Sequence, residues 1–194
     1  MSRQKFPLAV AVAVLSSTFL GSCSLLRGDN PEPTVNVKQA IKRVDSVLDE
    51  TLKAVHPRLK WRDDPAHLSE RRNSFTNTAD GEVRVGRERH VRTKISKAKL
   101  NELLTIVDKH WRKEGFKTKL LNPREPSISG TASDGCIVNF SVSGFGDVSI
   151  AASVGAVSDA PSGDIEGEEG DDFPKSPEGG PDYTPDVRDP YWST

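Results

Sequence analysis

The sequence predicts an α+β two-layer sandwich: two amphipathic helices on one face of an antiparallel sheet of four to five strands, followed by a disordered C-terminal tail. Three observations predict it. Apolar residues recur at spacings of three and four in two windows, 35–55 and 97–114. Residues 82–95 and 116–154 instead alternate apolar and polar side chains between Gly, Asp and Pro turns. The last 35 or so residues carry few aliphatics and many Pro, Gly and acidic residues, too little apolar surface to offset the entropy of ordering.

In the first window Val37, Ile41, Val44, Val47, Leu48, Thr51, Leu52 and Val55 share one helical face. Asn36 with Gln39 three residues later makes a capping-box start. His56-Pro57 is the stop, because a residue before proline avoids helical φ/ψ. Residues 58–81 carry the weakest signal. A short turn over Ala66–Arg72, an entering strand over Arg72–Thr78 and a turn at Ala79-Asp80-Gly81 are expected there.

In Glu82–Ile95, Val83, Val85, Val91, Thr93 and Ile95 share one parity, giving one long bent strand or two strands broken at 86–89. Ser96 is the N-cap candidate for the second helix, whose apolar face is Leu100, Leu103, Leu104, Val107 and Trp111. Gly115 takes the position after its end, and Lys109, Arg112 and Lys113 suit the negative end of its dipole. Strands follow at 116–121, 127–132, 136–142 and 148–154, the last two joined by the hairpin Ser143-Gly144-Phe145-Gly146-Asp147. There are no internal repeats.

Charge is unevenly placed. From Pro31 to Gly155 there are 22 Lys/Arg against 16 Asp/Glu, a net of +6, whereas Ala156–Thr194 has 2 against 11, a net of −9. The bulk value of −1 hides a basic domain joined to an acidic tail, an asymmetry that concerns association rather than fold.

The N-terminus is an export signal. Arg3 and Lys5 precede the apolar run Phe6–Leu20, which is shorter than the roughly 20 residues that span a bilayer. The run ends in Leu20-Gly21-Ser22-Cys23, which resembles the lipobox of bacterial lipoproteins: an aliphatic residue, two small residues and an obligatory cysteine. The resemblance implies a diacylglyceryl group on the Cys23 thiol and cleavage between Ser22 and Cys23, leaving the chain lipid-anchored on the extracytoplasmic face of the cell membrane. The domain layout, with its Trp111-x₃-Gly115-Phe116 helix exit, also resembles small exported lipoproteins of high-GC Gram-positive bacteria, a likeness that carries no site residues. The organisation expected is signal peptide 1–22, lipidated N-terminus and linker 23–34, α+β domain 35–157 and acidic disordered tail 158–194. A flexible linker of that length averages about 18–20 Å end to end, which keeps the domain close to the headgroups.

If Cys23 is lipidated, Cys136 has no partner in the chain, so the core must suffice without a disulfide. Cys136 opens the apolar strand CIVNF and reads as a buried, inert thiol. The histidines His56, His67, His90 and His110 show no metal-ligand spacing, so no metal and no cofactor are expected. There is no nucleophile elbow, and Gly144-Phe145-Gly146 lacks the third glycine and following helix of a phosphate loop.

One feature could carry binding. Arg84, Arg87, Arg89, His90, Arg92, Lys94, Lys97 and Lys99 fall within 16 residues. Of these, Arg84, His90, Arg92 and Lys94 share the parity opposite to the valines and predict a solvated basic face, a possible contact for anionic lipid or wall polymer. Nucleic acid is not expected, since no aromatics are interleaved with the cluster. The function expected is a non-catalytic, membrane-anchored binding or interaction module of the cell envelope. A cell-envelope hydrolase or wall-modifying enzyme and a lipid carrier are the alternatives. The acidic tail is either solubilising or folds back on the basic domain, with Tyr183, Tyr191 and Trp192 supplying contacts.

Overall fold

The computed structural model describes residues 35–72, 76, 78–122, 126–155 and 163–194. The signal peptide, the lipobox with Ser22 and Cys23, and the linker to Thr34 lie outside the described residues. Among the described residues no helix is long and apolar enough to cross a membrane.

The chain is α+β, with helices α1 (Val37–Lys53) and α2 (Lys97–Lys113) on one face of an antiparallel sheet. The sheet has eight strands: β1 (Trp61–Asp63), β2 (His67–Arg72), β3 (Ala79–Val91), β4 (Lys117–Asn122), β5 (Ser127–Thr131), β6 (Ile137–Val142), β7 (Val148–Val154) and β8 (Gly163–Asp164). Their order is β4-β5-β6-β7-β3-β2-β8, with β1 also paired to β3.

The count corrects the four to five strands expected from sequence. Strands β3 to β7 are the five with apolar alternation. The additional β1, β2 and β8 are short, polar and peripheral, so they carry no period-two signal. Most of the expected strand over Arg72–Thr78 lies outside the described residues; β2 runs from 67 to 72, where a short turn was expected, and β3 already begins at Ala79, where a turn was expected. Strand β3 is continuous through Gly86, pairing with β7 from Val85↔Val154 to His90↔Ser149.

Both helices follow their sequence signals. Asn36 Oδ1 accepts from the Gln39 amide at 2.9 Å, and Gln39 Oε1 accepts from the Asn36 amide at 3.3 Å. Gly115, at φ +87°, turns the chain out of α2. The helices are antiparallel, since Arg43 and Thr51 of α1 lie beside the α2 C-terminus while Pro57 lies near its start. Val44, Leu48 and Leu52 of α1 meet Leu103, Val107 and Trp111 of α2 over Val138, Phe140 and Ile150 of the sheet, all essentially sealed from solvent. Trp111 Nε1 donates to Thr51 Oγ1 at 2.8 Å, and that hydroxyl donates to the Val47 carbonyl at 2.7 Å, so the buried indole leaves no polar atom unmet.

The expectation of a disordered tail over 158–194 is overturned for residues 163–194, residues 158–162 lying outside the described residues. Residues 163–194 form a strap across the domain. It pairs as β8 with His67 and Leu68, runs beside β1, and reaches the start of α2. Gly170 lies so close to β1 that a Cβ there would stand 2.7 Å from the Asp63 carbonyl and from Pro65. Val187 bridges Thr93, exchanging bonds with Arg92 and Lys94, and Ser96 Oγ donates to the Thr194 carbonyl instead of capping its own helix. Trp192 is fully buried, with Nε1 donating to the Pro57 carbonyl at 2.7 Å. Composition argues for disorder only when a segment must fold alone. The strap instead borrows a surface made by residues about 100 positions away.

Trp192→Ala should therefore undock the strap, weakening its attachment by about 3 kcal/mol, the lower end of the range for deleting a buried tryptophan. Hydrogen exchange should show lost protection at Lys94, Ser96 and Val187, with β5–β7 unchanged.

Candidate functional site

Strand β3 organises the charged part of the molecule. Its side chains alternate between the helix-covered face and the opposite one, so Val85, Arg87, Arg89 and Val91 point inward while Glu88 and His90 point outward. Arg87 and Arg89, which the sequence reading counted in the basic run but left off its solvated face, are buried, 8% and 5% exposed. Each is met by carboxylates from separate segments. Arg89 pairs with Asp63 of β1 and with Asp49 of α1 at 2.7 Å. Arg87 pairs with Glu168 of the strap and lies 2.9 Å from Asp45 of α1. That last contact is ionic only: Asp45 Oδ1 and Arg87 Nε are aligned too poorly to form a hydrogen bond. Burial raises the Asp45 carboxyl above its ordinary range, against the opposing pull of Arg87 and Arg89.

The anticipated basic face of Arg84, His90, Arg92 and Lys94 is not a free surface. Arg84 engages in further interactions of its own. Arg92 makes a bidentate pair with Asp186 of the strap at 2.8 and 2.7 Å, and Arg62 stands 3.6 Å from the same carboxylate. The Arg92 hydrogen bond holds Asp186 below the usual carboxylate range. His90 is covered by two strap aromatics: Tyr183 stacks on it at 3.9 Å between centroids and Phe173 meets it edge-on at 5.6 Å. Lys94 remains exposed. The correction has a simple cause: a basic strand and an acidic segment of one chain pair with each other before either meets an external partner.

Beneath the aromatic pair, His90 Nε2 lies 3.0 Å from Asp64 Oδ2, and Glu88 completes a trio whose polar atoms are all within 4.8 Å of one another. The Asp64 amide donates to the Glu88 carbonyl at 2.9 Å, which holds Asp64, just past the end of β1, beside Glu88 of β3. No Lys or Arg among the described residues pairs with the side chain of either one. Burial, with the negative charge of Asp64 and Glu88, raises the Tyr183 phenol above its ordinary value. Sequence reading missed this trio because Asp64 is 24 residues from Glu88; the signal available was Glu88 and His90 on one parity of one strand.

A second feature lies at the end of the sheet away from Val35. A groove of about 770 Å³ runs between the β6–β7 hairpin, the start of α2 and the strap, lined among others by Lys94, Lys97, Leu100, Pro126 and Phe145. Phe145 is 98% exposed at its rim. Lys94 and Lys97 carry no ion pair among the described residues. By contrast, the space between the helices is a cleft of about 130 Å³ lined by Arg43, Glu50, His110 and Trp111, too small and polar for an acyl chain. Cys136 is fully buried, and burial pushes its thiol up to about 11.

The chain matches no protein-family model and none of the curated proteins compared with it.

Two outcomes follow from this geometry. Because the Asp186 pKa is lowered by folding, its contribution is present above the ordinary carboxylate value of about 4 and is lost as pH falls through the lowered one. Amide protection of Val187 and Lys94, corrected for intrinsic exchange, should fall on acidification, and Asp186→Asn should show weaker protection at pH 7 with a flatter acid response. Cys136 should resist a thiol reagent at pH 8 in the native protein and react fully only after denaturation.

Proposed function

We propose that the protein is a membrane-anchored extracytoplasmic lipoprotein, tethered through Cys23, whose folded domain is a non-catalytic binding module of the cell envelope. The observation that carries this reading is Leu20-Gly21-Ser22-Cys23 directly after a charged n-region and a 15-residue apolar run. Several acyl chains, each burying methylenes worth about 0.8 kcal/mol apiece, would make a stable anchor.

The fold supports a binding role at the groove. Helix α1 starts beside the β5–β6 turn, where Arg43 pairs with Asp134, while Phe145 lies at the opposite end of β6. A tether entering at Val35 attaches at the end of the sheet opposite the groove. Lys94 and Lys97 beside an exposed aromatic ring suit an anionic wall polymer, the lysines meeting charge and Phe145 packing on the polymer backbone.

Intact mass and detergent partitioning of the native protein beside Cys23→Ala test the anchor. A diacylglyceryl mass on a chain beginning at residue 23, lost in the variant, is the expected result, and a soluble product cut elsewhere would sink the reading. Co-sedimentation of the soluble variant with purified cell wall should fall about tenfold in Lys94→Gln/Lys97→Gln, and fall further with salt.

A further inference from the structure

We infer that Asp64, Glu88 and His90 form a binding site for a divalent transition-metal cation, with Zn²⁺ the best fit. The inference is independent of the lipid anchor and of the groove. The three donors are of mixed type, one imidazole nitrogen and two carboxylates, and they converge from β3 and from the residue just past the end of β1. With His90 neutral, the trio carries two negative charges in a half-buried setting where no Lys or Arg among the described residues pairs with either carboxylate. A divalent cation would neutralise that charge.

The geometry is near what a metal needs. Tetrahedral zinc, with ligands at about 2.1 Å, places ligand atoms about 3.4 Å apart. His90 Nε2 and Asp64 Oδ2 are already at 3.0 Å, a hydrogen bond whose Nε2 proton the metal would displace to solvent or to Nδ1, and all three donors lie within 4.8 Å. Closing the remaining gap requires a side-chain rotation of Glu88, which is not held by any other ion pair among the described residues. Three protein ligands leave a fourth position for water.

His90 is also preset as a ligand. Tyr183 and Phe173 contact it face-on and edge-on and meet each other at 5.1 Å, so ring rotation is blocked while Nε2 stays aimed at the carboxylates. Such fixing reduces the ordering cost of binding. Donor chemistry selects the ion. Calcium seeks six to eight oxygens and magnesium an octahedral oxygen set, whereas imidazole with carboxylate suits zinc and its first-row neighbours.

The test is calorimetric titration of untagged protein with Zn²⁺ alone, beside Glu88→Gln and His90→Phe. Both variants retain size, and His90→Phe keeps a ring for Tyr183 and Phe173 to pack on; circular dichroism confirms the fold of each. One equivalent bound at micromolar affinity, weakened about tenfold or more by Glu88→Gln and lost in His90→Phe, is expected. A zinc-dependent rise in Tm should appear in the native protein and vanish in His90→Phe. No saturable binding, or binding unchanged in both folded variants, would overturn the site; the second outcome would direct attention to His56, His67, His110 or the acidic strap.

Discussion

The placement of Arg87 and Arg89 on the inward parity of β3 constrains everything around them. A guanidinium cannot shed its charge, and taking it out of water is costly unless carboxylates meet it. Here the carboxylates come from α1, β1 and the strap. The two arginines thereby set the position of α1 along the sheet, draw β1 against β3, and bring Glu168 to the sheet edge. An apolar pair at these positions would pack on α1 but would leave Glu168 of the strap without its cation.

The strap extends the same logic outward. Asp63 accepts from Arg89 through its side chain, its carbonyl accepts from the Asp171 amide and its own amide donates to the Asp171 carboxylate, so the inner ion pair and the outer segment meet at one residue. Farther along, Phe173 and Tyr183 close over His90, Asp186 takes Arg92, and Trp192 fills the space beside Pro57. Exposed pairs such as Arg92–Asp186 add little singly. Apolar burial at Trp192 and ladder bonds at Val187 supply the larger part of the attachment, with charge setting the register.

The helices, the five alternating strands and the capping box at Asn36 were legible because each is a local signal of period, cap or turn. What escaped depends on partners. β1 went unread and β2 was expected as a short turn, because WRD and HLSERR hold their places through pairing with β3. Arg87 and Arg89 fall on the same parity as the valines, yet charge masked that parity. Tyr183, Tyr191 and Trp192 were recognisable as candidate contacts, but their docking surface is formed by residues 56–62, 90–102 and the ordered strand edges, which no window on the tail contains. The trio of Asp64, Glu88 and His90 is likewise a product of strand pairing.

Closing the strap by Asp186 on Arg92 also makes the molecule its own competitor. An external carboxylate or phosphate approaching Arg92 or His90 finds an acidic group of the same chain, Asp186 or Asp64, already in place. Along β3 and its extension the strap takes up the guanidinium groups of Arg87 and Arg92, while Lys94 and Lys97 keep their side chains facing outward at the mouth of the groove.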